Sequence, residues 1–499
     1  MSTLLILIAG LPLLMTALCI VTPRRFNELT TVAVGGGTLA MAVALVPAAT
    51  RGTVTAVGYL STDALSVVFL LATALLYALT AVYSIGYFAE GARQAARTGA
   101  DAVRRHDRYS RRFYIGLNAF AWSMLCAPLV NGLALLWVAI EITTVVSALL
   151  VALDNTDGAA EAAWKYVLIA SSGLGIALLS TIVLYYAGSQ VLGVSYDLAF
   201  EPLLQVAHNL PATPVQLAFG LAVVGYGTKV GLFPVHTWLP DAHAEAPTPV
   251  SALLSGALLA TSFYAILRYF QIAVAALGPT FPQRTLLIFG VLSLLLGALY
   301  LFDQHNIKRM LAYSSIEHMG ILAIGVSFGA PLAFLGVLLH VLAHAAGKGA
   351  AFMGAGVLVE KYGTKDISRI RDGMSVLPWS GPLFLLAVFA LSAVPPFGIF
   401  RSEFLIVAGG LSSPHGLATA VLVALVTFAF FGLAVALTQM LSAPNLPGTT
   451  PVAPGEPSAW MVAPVVVAVV VLAVLGVHPP GQLLALLNAG AAQLQGSPR

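Results

Sequence analysis

Charged side chains are scarce in this sequence. Of its 499 residues only 9% are Asp, Glu, Lys or Arg, whereas 59% are hydrophobic and the mean hydropathy is +0.92. A soluble domain usually carries about 25% charged residues. No soluble core could enclose this much apolar surface. The composition therefore excludes a soluble protein and predicts that a lipid bilayer surrounds the chain.

Cysteine is also nearly absent, and so are the local patterns that hold cofactors. The two cysteines, Cys19 and Cys126, stand alone in apolar segments, without a CxxC spacing or a histidine partner. No zinc, haem or iron–sulfur pattern, no P-loop and no GxGxxG fingerprint occurs. We therefore expect no cofactor and no metal site in this chain, and we expect both cysteines to be packing residues.

Long apolar runs dominate instead, and they lack the residue alternation of membrane β-strands. A membrane-spanning helix needs about 20 mostly apolar residues, and fourteen segments meet this description. We predict an all-α membrane protein whose first segment is a retained helix rather than a signal peptide. The predicted spans are 3–21, 29–49, 62–88, 113–130, 132–153, 163–187, 213–237, 248–274, 284–302, 309–328, 331–359, 376–410, 415–441 and 459–476.

The distribution of basic residues predicts the orientation. Fifteen of the 23 Lys and Arg residues fall in the loops after the first, third, ninth and eleventh predicted spans, among them Lys308 and Arg309. Three fall on the opposite side, and they are Arg51, Arg284 and Arg499. We therefore predict a multi-pass protein of the cell membrane with both termini on the outer side. The arginine-rich stretch 93–112 is interpreted as a cytoplasmic anchor, with a docking surface as the alternative, and nothing here indicates nucleic acid.

Five basic residues remain, and four of them fall within predicted spans. An ionised side chain at mid-bilayer costs about 2.5–3.5 kcal/mol and is usually functional. The fifth, Arg268, lies toward the outer end of its span and is predicted to extend to the membrane interface. The ionisable residues that we single out inside the spans are Lys165, Lys229, Lys348, Arg401, Glu141, Glu317, Glu403, His318, His340 and His344. An interfacial anchor is the alternative for Lys165, and a core histidine bonded to a carbonyl is the alternative for His318.

Two features indicate that these positions are organised. His340, His344 and Lys348 are spaced four residues apart, so they share a helix face about 12 Å long. In addition, glycine and proline interrupt two spans beside an ionisable residue, in GYGTKVGLFPVH (225–236) and SAVPPFGIFRSEF (392–404). Paired interrupted spans are typical of internally repeated transporters. An interruption frees backbone groups that can line a cavity, and we expect a buried lysine there to take up and release a proton as a neighbouring carboxylate moves.

The two interruptions are five predicted spans apart, an odd number, which predicts two inverted five-helix repeats. The predicted organisation follows from this spacing. It comprises three N-terminal helices and a basic cytoplasmic loop at 1–112, a first repeat at 113–277, a second repeat at 278–441, and a linker, last helix and outer tail at 442–499.

The run KVGLFPVHTWLPDAHAEAPTPVSALLSG at 229–256 closely resembles the signature of the antiporter-like membrane subunits of the complex I superfamily. The resemblance covers about residues 60–440. It extends to WVAIEITTVVSALLV around Glu141, EAAWKYVLI around Lys165, HNIKRMLAYSSIEHMG at 305–320, HVLAHAAGKGAAF at 340–352 and PPFGIFRSEFL at 395–405. Within the superfamily these runs look most like hydrogenase-4 component F, and the M-type subunits of NADH-quinone oxidoreductase are the next most similar.

The resemblance implies a role for each matching residue. Glu141 pairs with Lys229, Lys165 tunes that pair, and Glu403 is the terminal proton site of the second half-channel. The proton-transfer residues implied are Glu141, Lys165, Lys229, His318, His340, His344, Lys348 and Glu403. The turn after Lys229 holds three further candidates, which shape the loop or admit protons, and these are His236, Asp241 and His243.

The sequence departs from the family pattern at two points. Many relatives carry a lysine or histidine in the middle of the span 248–274, at the position of Ser255 or Ala260 here. Without that base, we expect water held by hydroxyl groups to connect the two halves, and the candidates are Ser251, Ser255, Thr261 and Ser262. The other departure is Glu403, where relatives have lysine, and Arg401 is expected to keep it ionised.

The favoured function is proton translocation by a membrane subunit of a hydrogenase-4/formate hydrogenlyase-like or complex-I-like assembly. The expected partners are other membrane subunits and, through them, a peripheral redox arm. Nickel–iron and iron–sulfur clusters or flavin are expected only in those partner subunits. A sodium/proton antiporter subunit and a non-transporting membrane scaffold are the two alternatives.

Overall fold

The structure is a computed structural model and describes residues 1–444 and 452–495. Arg499 and parts of the predicted segment 442–499 lie outside the described residues. The α-helices are α1 Ser2–Val21, α2 Arg24–Ala49, α3 Ala64–Thr98, α4 Ala100–Cys126, α5 Leu133–Val151, α6 Asp157–Leu192, α7 Phe200–Gln205, α8 Ala212–Val230, α9 Trp238–Glu245, α10 Thr248–Leu253, α11 Leu259–Leu277, α12 Thr280–Tyr300, α13 Ile307–Ser327, α14 Pro331–Tyr362, α15 Gly373–Val376, α16 Ser380–Leu391, α17 Gly398–Leu411, α18 Gly416–Leu441, α19 Ala459–Val477 and α20 Gly481–Leu494.

The helical membrane class is confirmed. Among the described residues, ten helices are long and apolar enough to cross a membrane. They are α1, α2, α3, α5, α6, the helix Thr248–Leu277, α12, α14, α18 and α19. The other four predicted spans fall on α4, α8, α13 and the pair α16–α17. A two-stranded antiparallel hairpin, β1 Val54–Thr55 and β2 Ser61–Thr62, lies between α2 and α3 and was not predicted.

The arginine-rich stretch 93–112 is helical, although the sequence suggested a loop. It comprises the end of α3 and the start of α4, which are separated only by Gly99 in a left-handed conformation (φ 129°). Ion pairs one turn apart, Arg93 with Glu90 and Arg104 with Asp101, support these helices. Charge density alone therefore misled the loop prediction, because i,i+3 pairs are satisfied on a helix surface.

The helix Thr248–Leu277 is continuous but contains a π-helical turn at Leu254–Leu258, between α10 and α11. Its apolar window is wholly buried, and α3 and α14 are almost as deeply buried, whereas α1 and α18 lie at the periphery. The core of the molecule is therefore formed by α3, α10–α11 and α14. Polar groups on these helices are shielded from the surrounding lipid.

Both predicted interruptions are present. The first separates α8 from α9 at residues 231–237, and the second separates α16 from α17 at 392–397. Gly231 ends α8 in the left-handed conformation (φ 85°) typical of a helix C-terminus. The indole nitrogen of Trp238 then donates to the carbonyl of Thr228 at 2.8 Å. This bond satisfies one of the carbonyl groups that the end of a helix leaves free.

Candidate functional site

Lys229 is buried in the last turn of α8, with 0% of its surface exposed. Its ammonium nitrogen donates to Thr144 Oγ1 on α5 and to the Tyr166 hydroxyl on α6, each at 2.6 Å. The Tyr166 hydroxyl in turn lies 2.8 Å from Ser147 Oγ. Three helices therefore meet at this lysine through neutral hydroxyl groups, which the sequence analysis did not identify as its partners.

Glu141 lies on α5, one turn before Thr144, and is only partly buried. It accepts a hydrogen bond from Ser171 Oγ at 3.0 Å, and its other carboxylate oxygen has no partner among the described residues. Its charge still acts on Lys229. However, the structure does not show the direct Glu141–Lys229 contact that the resemblance implied, because Lys229 bonds to Thr144 and Tyr166 instead.

Lys165 does not reach Lys229. Its side chain is 48% exposed and pairs with Glu161 at 2.6 Å and with Asp241 at 3.5 Å. Neighbouring residues on a helix point about 100° apart, so when Tyr166 faces the interior, Lys165 faces outward. The structure therefore favours the anchor interpretation of Lys165, and Tyr166 occupies the place that the sequence analysis gave to Lys165.

Asp241 on α9 is held between two basic groups, because it also pairs with Arg309 at 3.0 Å. His243, two residues later, is fully buried and donates from Nδ1 to the carbonyl of Leu239 at 2.7 Å. Its Nε2 atom and the Nδ1 atom of the buried His236 have no hydrogen-bond partner among the described residues. These three residues lie in the first interruption and in α9, which follows it. Each of the two histidines has one ring nitrogen without a partner among the described residues.

Lys308 was counted among the basic residues of a cytoplasmic loop, but it lies in the first turn of a helix. Its side chain is buried at the start of α13. Its ammonium nitrogen donates to the carbonyl of Ala246 at 2.8 Å, just after the end of α9. Lys308 thus stabilises the backbone between α9 and α10.

The second cluster is built around three histidines. His318 Nδ1 lies 3.1 Å from His340 Nε2, and His340 Nδ1 lies 2.9 Å from Ser402 Oγ on α17. The ring of His344 packs 5.2 Å from that of His318, and all three histidines are fully buried. This arrangement favours an organised site over the alternative in which His318 only donates to a carbonyl. Helices α13, α14 and α17 therefore share a connected set of ring nitrogens and one hydroxyl.

Lys348 continues the histidine face of α14. It donates to the carbonyl of Leu311 at 3.0 Å and to Ser314 Oγ on α13. Glu317, one turn further along α13, is close enough for its charge to act on Lys348. The predicted face of His340, His344 and Lys348 is thus present, and α13 supplies partners that the sequence analysis did not assign.

Glu403, Phe400 and Phe404 line a cavity of about 410 Å³ beside α18. One carboxylate oxygen of Glu403 has no partner among the described residues. The ligand-type atoms of His318, His340 and Glu403 all lie within 4.8 Å of one another. Donors of these types can bind a divalent metal, but the His318–His340 hydrogen bond already uses one nitrogen of each ring.

Arg401 does not contact Glu403. Its guanidinium donates to the carbonyls of Gly476 and Val477 in α19, at 3.2 and 3.4 Å. The expectation that Arg401 keeps Glu403 ionised therefore finds no support in the contacts. Arg401 instead joins the second interruption to the last long helix.

Between the two clusters, Ser255 in the π-helical turn lies 2.7 Å from Ser315 Oγ on α13. Ser315 is next to Ser314, the acceptor of Lys348. The other hydroxyls proposed for this gap, those of Ser251, Thr261 and Ser262, donate to backbone carbonyls. Where the resemblance implied a base in relatives, this chain has a hydroxyl pair. The serines in YSSIEHMG were the available signal, since they stand beside Glu317 and His318.

Arg268 is also placed differently from the prediction. It is buried and pairs with Asp63 at 2.7 Å, and it donates to Ser66 Oγ, the Tyr264 hydroxyl and Gln271 Oε1 at 2.8, 2.9 and 3.1 Å. Its donors are therefore satisfied by protein groups, which the prediction of a side chain extending to the membrane interface did not include.

These features define a class: a multi-pass helical membrane protein with buried lysine, histidine, glutamate and hydroxyl groups beside two interrupted helices. Residues 130–439 match the family described as NADH:quinone oxidoreductase/Mrp antiporter, TM. The chain belongs to this family.

Individual relatives agree with this assignment. The chain is 36% identical over 370 residues to the hydrogenase-4 component F homolog of Methylacidiphilum infernorum, which covers 73% of this chain and 75% of the relative. A chain of the Mrp complex from Dietzia sp. DQ12-45-1b superposes with a TM-score of 0.84 at 19% identity, over 99% of this chain and 98% of the other. A chain of respiratory complex I from Thermus thermophilus with bound NADH gives 0.79 at 24% identity, over 98% and 99%. The predicted resemblance is confirmed.

Proposed function

We propose that this chain is the proton-translocating membrane subunit of a hydrogenase-4/formate hydrogenlyase-like or complex-I-like assembly. The observation that carries the proposal is the set of buried proton-carrying groups that crosses the core. It begins at Lys229 and Tyr166, includes the Ser255–Ser315 and Ser314–Lys348 contacts, and reaches His318, His340 and Glu403. Such groups are costly inside a membrane unless they serve a function.

The proposed architecture has fourteen spans in two inverted five-helix repeats, with one interrupted helix in each. In support, α8–α9 and α16–α17 are both interrupted beside a buried ionisable residue, Lys229 in one and Glu403 in the other. The proposal places both termini on the outer side of the cell membrane, following the positive-inside distribution of arginine and lysine.

Coupling is proposed to be electrostatic. Lys229 bonds only to neutral hydroxyls, so the charge on Glu141 is free to change the proton affinity of Lys229 without breaking an ion pair. Moving a unit charge across the membrane takes about 2.3 kcal/mol per 100 mV. This chain has no cofactor pattern, so the proposal assigns the energy to redox chemistry in partner subunits. Nickel–iron, iron–sulfur or flavin groups would be bound there, in a peripheral arm attached through other membrane subunits.

Cation/proton antiport is the second candidate, favoured by the likeness to a chain of the Mrp complex. Sodium prefers clustered oxygen ligands, as hard cations do. Among the described residues, the buried grouping of metal-ligand type is His318, His340 and Glu403, in which two of three donors are nitrogen. This composition favours the proton as the transported ion.

The test uses vesicles that contain the intact assembly and follows proton transport and redox turnover together. Lys229→Ala should abolish transport while the assembly and its redox centre remain intact. The matched control, Lys361→Ala, removes a lysine at the end of α14 and should behave as wild type. Unchanged transport and turnover in Lys229→Ala would contradict the proposal and favour a non-transporting scaffold. Transport that requires sodium would favour the antiporter.

A further inference from the structure

A second polar region lies apart from the chain of groups described above. It is a cavity of about 520 Å³ bordered by the start of α3, the start of α5, α7, and the C-terminal parts of α11 and α20. Glu201, His208, Asn131 and Gln493 contribute polar walls. All of these segments belong to the face predicted to be outside the cell, and the proposed function has so far given them no role.

Asp63, Ser66, Tyr264 and Arg268 form the inner wall of this cavity. They are joined by the Asp63–Arg268 ion pair and by the bonds from Arg268 to Ser66 and Tyr264. Replacing a buried ion pair by apolar packing is often neutral or stabilising, so stability alone gives little reason to place one here.

The hydrogen bonds at this inner wall define the direction in which a proton can move. Arg268 Nε donates to the Tyr264 oxygen at 2.9 Å, and Arg268 Nη2 donates to Ser66 Oγ at 2.8 Å. The two hydroxyl oxygens lie 2.9 Å apart. Because both oxygens already accept from a guanidinium that does not give up its proton, Tyr264 is free to donate to Ser66. Ser66, which lines the cavity, is then free to donate to cavity water.

The same helix connects the inner wall to the interior. Tyr264, Arg268, Gln271 and Ala275 are spaced three or four residues apart and share one face of α11. Thr261 continues that face toward the π-helical turn, where Ser255 meets Ser315. Polar side chains on this face therefore run from the cavity to Thr261, and the apolar residues 256–260 lie between Thr261 and the hydroxyl pair.

We propose that this cavity is the aqueous outer mouth of the proton path, and that Tyr264 and Ser66, ordered by the Asp63–Arg268 pair, form its inner gate. The inference rests on the proposed function. In the release step, Tyr264 passes its proton to Ser66, and Ser66 passes one to cavity water. Tyr264 then takes up the transported proton from water on its interior side. Each oxygen ends neutral, Arg268 stays protonated, and Asp63 remains its counter-ion.

The ionisation state of the Asp63 carboxyl supports this proton-release step. Burial acts to raise the pKa of its carboxyl, but the charge of Arg268 and the N–H of Ser66 outweigh that effect and hold the pKa below its ordinary value. The carboxylate therefore stays ionised at neutral pH and keeps Arg268 in place beside both hydroxyls.

The test introduces a cysteine into the cavity wall of the full assembly, in vesicles whose outer face is exposed. Ala275→Cys lines the cavity and is treated from outside with a charged thiol reagent that does not cross membranes. Val194→Cys is the matched control, because Val194 is 84% exposed on the same predicted face and does not border the cavity. Wild type, with the buried Cys19 and the partly buried Cys126, gives the background.

Modification of Ala275→Cys should reduce proton transport to the level of Lys229→Ala, while modified Val194→Cys transports as wild type. Tyr264→Phe, which keeps the ring in place, should also lose transport with assembly intact. Absence of modification from outside, or full transport after it, or normal transport in Tyr264→Phe, would overturn the inference. Because Lys229→Ala is measured in the same preparation, a failure of the whole proton-transport proposal would show separately, as transport that does not depend on Lys229.

Discussion

The ammonium nitrogen of Lys229 lies 2.6 Å from the hydroxyl oxygen of Tyr166, and this bond joins α8 to α6 in the interior of the protein. The Tyr166 ring also lies beneath that ammonium group, 4.9 Å from its centroid, and packs 4.4 Å from the indole of Trp238. Tyr166 thus contacts the lysine through its hydroxyl and the segment after the interruption through its ring. It links the lysine to the folded segment that follows the interruption.

Tyr166→Phe should therefore impair transport without unfolding the protein. The substitution keeps the ring but removes one acceptor of Lys229 and the contact with Ser147. A hydrogen bond to a charged group contributes about 1.5–3 kcal/mol, which corresponds to a fall of about tenfold or more in transport rate. Proton uptake by vesicles measures this. Tyr186→Phe, on the exposed surface of the same helix, should transport normally; equal rates in the two variants would rule out a role for the Tyr166 hydroxyl.

Ser255→Ala should break the connection between the cluster around Lys229 and the cluster of three histidines. It removes the contact with Ser315 and leaves an apolar gap where relatives are expected to carry a base. We expect transport to be lost while the unfolding temperature changes little, since one neutral hydrogen bond contributes about 0.5–1.5 kcal/mol. Ser262→Ala is the control, because its hydroxyl bonds only to the carbonyl of Leu258 in the same helix. If both variants transport like wild type, the path does not pass through the hydroxyl pair.

The buried charges could be found from the sequence, but their partners could not. Lys229, His340 and Lys348 stand out because ionisable residues are rare in apolar segments. Tyr166 does not stand out, because aromatic and hydroxyl residues are common there and carry no charge. The choice between Lys165 and Tyr166 depends on helix rotation, which one residue changes by about 100°. The ion pair of Arg268 with Asp63 joins residues 205 positions apart, and local sequence does not predict such a contact.

The interruptions were likewise predictable from glycine and proline, whereas the element that covers the second one was not. Gly476 in α19 packs directly on that interruption, and a Cβ atom there would lie 1.8 Å from the carbonyl oxygen of Pro396. The Gly476 carbonyl also accepts from Arg401 at 3.2 Å. Close approach of this kind depends on tertiary packing and leaves no local signal except the glycine.

Gly476→Ala should lower stability, because the added methyl group forces α19 away from the interruption. Overpacking of this type typically costs about 1–3 kcal/mol. Thermal unfolding of the detergent-solubilised protein measures the effect. Gly481→Ala is the matched control, since nothing lies within 4 Å of a Cβ atom at that position. Equal unfolding temperatures in the two variants would show that α19 moves freely over the interruption.

The Asp63–Arg268 pair predicts a pH dependence of stability. Although burial acts to raise it, the pKa of Asp63 is held below its ordinary value of 3.8 by Arg268 and Ser66. A carboxyl whose pKa is lowered on folding contributes its full stability above the unfolded value and loses it as pH falls through the folded value. The unfolding temperature of wild type should therefore exceed that of Asp63→Asn at neutral pH. The free energy of unfolding should be about 3–5 kcal/mol lower in Asp63→Asn, as expected when a buried ion pair loses one partner.

The difference should narrow as the pH falls below 3.8, because the unfolded chain then takes up a proton that the folded carboxylate binds only at a lower pH. Asp303→Asn, at an exposed position, should match wild type at every pH. A gap between wild type and Asp63→Asn that does not change with pH would mean that the carboxylate charge is not the source of its contribution.

The π-helical turn at Leu254–Leu258 determines which way the residues after it face. Such a turn holds one more residue than an α-helix would, and that residue sets the rotation of α11 relative to α10. If the same residues were wound as a regular α-helix instead, everything beyond the turn would be rotated by about 100°. Arg268 would then turn away from Asp63, and Tyr264 away from Ser66, with no residue of either pair altered. The spacing of this helix is therefore as specific a requirement as any side chain on it.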